Sequence, residues 1–577
     1  MAQVTLLSYK ILVLSWITAQ RQLIHDRTAS RTSWDTSYDF IIVGAGGSGA
    51  VLANKLAECR SVRVLLLEAG GAQNAIYNDI PGMIGGIYPL NINIWRYYNE
   101  PHDNYGQSFA GGRVPDQRGK TLGGSTAHNA MYYNRGNRRG YDEWANTYGA
   151  VGWSYRDLLP LFIGFENNTN PTIVRNEPQY HGTSGPIQVS SPKNPDKILE
   201  VQHKVVNELG YRDTDINGRT QAGYMLMENY ITAQGLRSDT GTAYVDPNPY
   251  PDNLHIVCKA LATKVLFNGL TAIGVEFIVN DISYTVYANR EVIVSGAIGV
   301  EFIVNDISYT VYANREVIVS GGPINSPQLL MLSGVGPRQH LNSFGIPVVL
   351  DLPVGDNYHN HPNVELDVPL KPQYSYLVNE VPQFNVQQLS QLYYQNSGVQ
   401  SQYPVSVLYY STQLNRDKQW PNVELQSTDP LLPPLIDPNW LSDPEDQVNI
   451  LDAVRMQFYL LERTQLAKYL QPMTSFADIG CPVCPGKYMY ECSEGLKCYI
   501  RINSLSSYHP AGSCRMGAIE RPDVVVDPQL RVKGANNLRV CDSSIFPVLP
   551  NGNTAAASIV VGYKCAQFIK EYYNLIN

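Results

Sequence analysis

The sequence predicts an α/β protein built on a Rossmann-like βαβ unit. Three observations carry that prediction. An apolar run, Asp39-Phe-Ile-Ile-Val43, reads as a buried strand and leads straight into Gly44-Ala-Gly46-Gly-Ser-Gly49. Ala50 to Ala57 then reads as a helix. A second apolar run, Val62-Arg-Val-Leu-Leu-Leu67, ends in Glu68. Strand, glycine turn, helix, strand and acid within about 30 residues make one dinucleotide-binding unit.

Each part has a physical reason. The glycines allow a tight turn and a close approach of backbone to a pyrophosphate. The helix N-terminus adds oriented N–H groups and a positive dipole end. Glu68, 24 positions after Gly44, suits ribose hydroxyls and disfavours a phosphorylated ribose. The motif by itself does not choose between nicotinamide and flavin dinucleotides.

The chain has 577 residues, more than one ordinary domain. Apolar residues make up 44% and charged residues 16%, a globular composition that excludes disorder and coiled coil. A net charge of −8 with no basic stripe gives nucleic acid nothing to hold. Lys10 precedes the apolar run Ile11 to Ala19, and polar Gln20-Arg-Gln follows. The run is too short to span a bilayer, so residues 1–20 read as a secretory signal of an extracellular protein rather than an anchor. A buried N-terminal helix is the plainer alternative.

Of nine cysteines, Cys481, Cys484, Cys492 and Cys498 lie close together. In a secreted chain they favour disulfides. A zinc site would usually show two C-x2-C pairs, and only the first pair has that spacing. The odd total leaves at least one free thiol. Asn167-Asn-Thr169 is a glycosylation sequon that suits a surface loop.

Residues 111–145 are glycine-rich and dense in Arg, Asn and Tyr, and residues 150–235 mix helix and loop signals. Residues 254–321 read as strands, residues 323–345 as a helix and a turn. Residues 365–500 are rich in Gln, Tyr and Pro, with clear periodicity only from Pro444 to Leu466. Leu538 to Asp542 reads as a strand and Thr554 to Tyr573 as a helix. One stretch recurs unchanged: Ala272 to Gly296 is repeated as Ala297 to Gly321. Repeat arrays diverge between copies and need about three units. Two identical copies indicate a very recent duplication or an error of sequence assembly. Each copy reads as a β-hairpin, so a second one must extend a sheet edge or bulge out.

Three further motifs carry chemistry. The first runs from Gly119 through Gly123-Gly124-Ser125-Thr126-Ala-His128-Asn129-Ala-Met131 to Gly136. The second is Ser507-Tyr-His509-Pro-Ala-Gly512-Ser-Cys-Arg515-Met-Gly517. The third is Val540-Cys-Asp542-Ser543-Ser544-Ile-Phe-Pro547, followed by Pro550-Asn-Gly-Asn553-Thr554. With the βαβ unit, and in this order, they resemble the glucose-methanol-choline (GMC) oxidoreductases. Gly70-Gly71, Asn325 to Pro337 and Leu352-Pro-Val-Gly355-Asp-Asn357 agree, and the resemblance covers roughly residues 37–573. Gly152-Trp-Ser-Tyr155 and Asn217 to Gly223 are similar to the arthropod branch of aryl-alcohol, glucose and cyanohydrin oxidases and dehydrogenases.

The resemblance implies FAD as cofactor. It implies an FAD-binding domain assembled from residues 37–160, 230–345 and 505–577. A substrate-binding α+β domain with an antiparallel sheet would take residues 161–229 and 346–504. The pyrophosphate is expected over Gly44, Gly46 and Gly49, the adenosine ribose on Glu68 and the adenine against Val265. Gly123, Gly124, Ser125, Asn129 and Met131 are expected near the flavin and pyrophosphate, and Asp542 and Ser543 near the ribityl chain. Thr554 opens a helix whose N-terminus faces the flavin, where its dipole favours negative charge.

The implied catalytic pair is His509 and Asn553. An imidazole near neutrality suits removal of a hydroxyl proton as hydride leaves the carbon. Asn553 would stabilise the developing alkoxide. His128 stands where an aliphatic residue is usual. Choline-oxidase-like members carry a histidine there and link it to the flavin, so both a covalent FAD through His128 and a noncovalent one stay open. His359 and His361 have no carboxylate cluster beside them, so they read as structural and no metal is expected. The expected substrate is a small aromatic or cyanohydrin-type alcohol such as mandelonitrile. O2 is the expected acceptor and a quinone-type compound its alternative. A hydroxynitrile lyase that keeps FAD without net redox is the rival reading, and a non-catalytic binding protein the third. No signal for an oligomeric state is present.

Overall fold

The structure, a computed structural model, describes residues 30–31, 33–74, 76–279, 282–287, 309–366, 368–379 and 422–575. The signal expected at residues 1–20 lies outside them.

The βαβ unit forms as its pattern demands. Strand β1 (Ser37–Val43), helix α1 (Gly49–Ala57) and strand β2 (Val64–Glu68) follow one another, and every residue of β2 is buried. A strand buried on both faces needs a continuous apolar run rather than alternation. Each fully buried Val, Leu or Ile there contributes roughly 1.5–3 kcal/mol.

Helix α2 (Ile198–Glu208) belongs to the second part of the molecule. The chain then returns to the sheet as β3 (Leu254–Cys258), β4 (Ala260–Asn268), β5 (Thr271–Val279), β6 (Ile282–Tyr287) and β7 (Tyr309–Val319), and helix α3 (Gly322–Leu332) follows at once. The second part resumes with β8 (Pro362–Val364), α4 (Pro444–Arg463), α5 (Ser493–Asn503) and β9 (Ser504–Ser506). The chain ends in the first part with β10 (Leu538–Val540) and α6 (Ala555–Tyr572).

The main sheet has eight strands in the order β3-β2-β1-β7-β6-β5-β4, with β10 also on β7. β3, β2, β1, β7 and β10 run parallel, whereas β4 and β5 form an antiparallel hairpin. The core therefore lies between this mixed sheet and the helices α1 and α6, which pack on each other. Arg539 of β10 meets Glu316 of β7 through two hydrogen bonds of 2.5 and 3.0 Å, both side chains being buried, so the late strand is stapled to the central one.

The duplicated segment reaches the same place twice. Gly274, Val275, Glu276 and Phe277 of β5 pair with Tyr287, Val286, Thr285 and Tyr284 of β6. The same four pair with Tyr312, Val311, Thr310 and Tyr309 of β7. Those two sets are the equivalent residues of the two copies. β4 already takes one edge of β5. Identical sequences thus claim one strand edge in one register, as identical side-chain patterns must.

In the second part, antiparallel pairing among the described residues consists of two-stranded ladders, β8 with β9 and residues 422–424 with 435–437. Cys481–Cys498 and Cys484–Cys492 are disulfides beside α5, and Cys541–Cys565 ties the end of β10 to α6. The first two pair the clustered cysteines; the third had no local signal, because its partners sit in separate motifs. Cys59, Cys258 and Cys514 are buried and take no part in these disulfides. Asn167 of the sequon lies in a short strand, residues 166–168, rather than in a loop.

Candidate active site

A cavity of about 950 Å³ opens where the carboxyl ends of the parallel strands meet the second part. In open parallel sheets ligands bind at that end. Its floor is Val43, Gly44, Gly46, Gly47 and Ser48, with Leu67 and Glu68 of β2 beside them.

The three glycines divide the labour. Gly44 has φ +101°, and a Cβ there would lie 2.3 Å from the Ser320 carbonyl oxygen, so the turn itself requires glycine. At Gly46 a side chain would meet nothing within 4 Å, so this backbone faces open cavity. Gly49 does not line the cavity; a Cβ there would lie 1.9 Å from the Gly44 oxygen. It serves close packing of helix on strand instead of direct contact with a pyrophosphate.

Glu68 accepts hydrogen bonds from the backbone N–H groups of Ala45 (2.9 Å) and Gly70 (2.8 Å). Burial nevertheless pushes its pKa up to about 7, against the lowering effect of those bonds and of Lys120. The acid holds the glycine turn in shape and still faces the cavity. Val265 is buried in the core, with its N–H on Ser333 Oγ at 2.8 Å, and Ala262 lines the cavity from the same strand.

Gly124, Ser125, His128, Asn129 and Met131 line the cavity, whereas Gly123 does not. Gly123 has φ +86°, and a Cβ there would lie 2.6 Å from Asp239 Oδ1, so its role is packing. Met131 takes φ +62°, a left-handed conformation uncommon for a side chain of its size, with its N–H held by Asn129 Oδ1 at 3.0 Å. Buried Arg237 donates to the Asn129 carbonyl oxygen and to Oδ1 and so fixes this loop. Nothing in the local sequence around Arg237 signalled that.

His128 has Nδ1 3.2 Å from the Gly124 carbonyl oxygen and Nε2 3.1 Å from that of Ile92. Burial lowers its pKa to about 4, despite those two bonds. The ring is neutral at ordinary pH.

Asp542 accepts from the Gly322 N–H (2.9 Å) and from Ser326 Oγ (2.6 Å), which fastens β10 to the start of α3. Burial holds its carboxyl above the usual range. Ser543, Asn553, Thr554, Ala555 and Ser558 complete this wall, so the N-terminus of α6 points into the cavity.

His509 is placed by strand register. β8 and β9 pair antiparallel, Pro362 opposite Ser506, so the residues just outside the ladder, His361 and Ser507, face each other. The Ser507 N–H donates to the His361 carbonyl oxygen at 3.0 Å. Tyr508 then takes φ +59° and turns His509 inward, and Asn360 Oδ1 accepts the His509 N–H at 2.8 Å. The Tyr508 carbonyl oxygen accepts two bonds from Arg118, 2.9 and 3.0 Å. In the ring, Nε2 lies 3.0 Å from Asn553 Nδ2 and Nδ1 lies 3.2 Å from His361 Nδ1. With the amide donating, Nε2 is a bare acceptor and the ring proton sits on Nδ1. Burial lowers the His509 pKa well below its ordinary value, and His361 and Arg118 lower it further. The Asn553 Oδ1 is buried without a partner.

This places a neutral base and an amide against one cavity wall, across from the glycine turn. The residues fit a dinucleotide: a backbone cradle open at Gly46, a helix N-terminus, and an acid held by the turn. His361, Asn360 and Arg118 were not expected at the site; a loop histidine gives no local sign of facing a second histidine 148 residues away.

Comparison with known proteins agrees with this geometry. Residues 38–363 match the N-terminal, and residues 420–562 the C-terminal, sequence model of GMC oxidoreductases. Glucose dehydrogenase [FAD, quinone] of Drosophila pseudoobscura pseudoobscura is 32% identical over 592 residues, covering 94% of this chain and 88% of that protein. Oxygen-dependent choline dehydrogenase of Sinorhizobium medicae (strain WSM419) is 32% identical over 573 residues, 92% of this chain and 95% of that protein. Among solved structures, formate oxidase of Aspergillus oryzae RIB40 superposes with a TM-score of 0.76 at 22% identity, covering 94% of this chain and 100% of that one. A fungal aryl-alcohol oxidase gives 0.72 at 22% identity, with coverage of 94% and 100%. These two likenesses show the shared fold.

Proposed function

This chain belongs to the GMC oxidoreductase family, and from that premise we propose that it oxidises an uncharged alcohol to its carbonyl compound with His509 as base. It is an FAD-dependent oxidoreductase of alcohol-type donors. When bound, FAD supplies the acceptor for the two electrons that leave the alcohol carbon.

The observation that carries the proposal is the pair His509–Asn553 on the cavity wall. His509 Nε2 is unprotonated and can take a hydroxyl proton without first losing one. Asn553 Nδ2 lies beside the same nitrogen, so an alcohol oxygen seated there meets both a base and an amide donor. The proton on His509 Nδ1 is directed at His361 Nδ1, which keeps the His509 ring in that tautomer. Gly44, Gly46 and Gly47 would seat the pyrophosphate and Glu68 the ribose, and the α6 N-terminus would stabilise negative charge. Tyr88, Trp95 and Tyr508 also line the cavity and support an aromatic or otherwise apolar donor, cyanohydrins included.

We keep O2 as the proposed acceptor. FAD held without a covalent bond is the reading favoured for His128, whose two ring nitrogens both face backbone carbonyl oxygens. Secretion is part of the proposal, supported by three disulfides, which persist in oxidising compartments.

The test is an anaerobic absorbance titration of the holoprotein with benzylic alcohols and cyanohydrins. Bleaching of the flavin band, followed by recovery on admitting air, is the expected result. A reduced flavin stable in air assigns a dehydrogenase with another acceptor. An oxidised flavin unmoved by every alcohol, with cyanide released from a cyanohydrin, overturns the proposal in favour of a lyase. Hot acid should leave the protein colourless and the flavin in solution.

A further inference from the structure

The cavity does not end at His509. It continues between α2 and α4, where its walls change character. Ile198 on α2 and Leu460, Leu461, Leu466, Leu370 and Leu470 around α4 line this outer chamber. Ile198 and Gln202 are one turn apart, and so are Gln457 and Leu461, so each helix presents one face to the chamber. The titratable lining residues, Glu68, Arg118, His128, Glu365, His509 and Asp542, belong to other elements than these two helices.

Two polar side chains interrupt the aliphatic wall. Gln202 and Gln457 both line the cavity, and the Oε1 of each is buried with no hydrogen-bond partner. A buried amide oxygen without a donor is costly, and such groups are seldom left so in the absence of a ligand. Two such acceptors, one from each helix, interrupt an otherwise apolar stretch of the lining.

We propose, resting on the reading of this site as an alcohol oxidant, that the substrate is an extended, uncharged alcohol with a second hydrogen-bond donor at its far end. The reacting hydroxyl lies at His509 and Asn553. A hydrocarbon body fills the aliphatic chamber. A distal hydroxyl or N–H donates to Gln202 and Gln457.

The same walls speak against the other donor chemistries. A sugar would bury hydroxyls along its whole length against Leu and Ile, leaving them unpaired. Among the residues of α2 and α4 that line the cavity there is no carboxylate to meet a quaternary ammonium.

The experiment measures flavin reduction in the holoenzyme with 1-butanol, 1-hexanol, 1-octanol, 1,8-octanediol and 8-methoxy-1-octanol, with benzyl alcohol, glucose and choline alongside. The expected result is kcat/KM rising about threefold per added methylene. The diol should exceed both octanol and the methyl ether by about tenfold, since only it carries a distal donor. In Gln457→Leu, and separately in Gln202→Leu, the diol-to-octanol ratio should fall towards one. Benzyl alcohol active without any chain-length gain, a diol no better than its ether, or a ratio unchanged in both variants overturns the extended substrate and leaves alcohol oxidation standing. Preferred turnover of glucose or choline does the same. A flavin reduced by none of these compounds overturns the alcohol-oxidant reading, and this inference with it.

Discussion

His361 Nδ1 lies 3.2 Å from His509 Nδ1, so the base of the site rests on a second histidine and not on a carboxylate. A carboxylate in that place would raise the basicity of the ring and favour its charged form. His361 has the opposite effect and helps to keep His509 unprotonated. In His361→Gln the acid limb of kcat/KM should therefore move to higher pH, because a neighbour that disfavours charge on His509 is gone. A pH profile of kcat/KM checks this; a slower variant with an unmoved acid limb would show that His361 merely packs.

His509→Ala should lower turnover by at least about 100-fold with FAD still bound, because the site then lacks its proton acceptor. Asn553→Ala should cost about 10- to 100-fold, mostly in kcat. The two variants are compared by rapid-mixing flavin reduction, with the visible spectrum confirming cofactor content. Near-normal reduction in His509→Ala would remove it from the mechanism.

Stability should fall as pH rises. His181 Nδ1 lies 3.0 Å from Glu166 and its Nε2 2.6 Å from Asp215; Arg135 pairs with Glu166 at 2.8 Å, both of those side chains fully buried. Burial alone would lower the His181 pKa, but the bonds to Asp215 and Glu166 outweigh it and raise it to about 9. Glu228 is pushed up to about 7, by burial first and by Glu166 next. Both groups bind a proton more tightly folded than unfolded. Their contribution is complete below the unfolded values and lost as pH rises through 7 for Glu228 and 9 for His181. Tm measured across that range should decline, and His181→Gln should flatten the part between pH 6.5 and 9. An equally steep decline in the variant refutes the assignment.

Deleting residues 272–296 or residues 297–321 yields one and the same polypeptide. In it a single copy supplies both the β5 strand and the β7 strand, joined by Asn-Asp-Ile-Ser. The deletion variant should fold, retain FAD and melt no lower than the full chain, since fewer residues have to be closed between paired strands. Loss of FAD binding in the variant would show that the second copy has a place of its own.

Much of the site was legible because its signals are local. The βαβ unit, the glycine turn and Glu68 are adjacent in sequence and in space, and the pattern of strand, glycines and helix determines their geometry. His509, Asn553, Asp542 and Thr554 were found by motif, and they converge on one wall. What escaped was set by register and by distance along the chain. Val265 and Ala262 share a strand, and alternation alone could not say which one faces the cavity, because β4 carries a bulge between Ala262 and Lys264. Gly49 and Gly123 sit inside the right motifs but serve packing, a distinction that depends on what a Cβ would strike. His361, Arg237 and Cys541–Cys565 depend on partners far away in sequence, where no periodicity reaches.

The stapling of β10 to β7 bears on the order in which the molecule can be made. A ribosome delivers β1, β2 and β7 long before Leu538–Val540 exists, so the Val317–Val319 stretch of β7 lacks its β10 partner through synthesis of the whole second part. Asp542, which clamps the start of α3, and Asn553 and Thr554, which close the cavity, all arrive within the last few dozen residues. A nascent chain therefore has no completed cofactor seat, and early termination before β10 leaves an open strand edge of the kind that invites association with other chains. The oxidising chemistry is thus withheld until the last helix is in place.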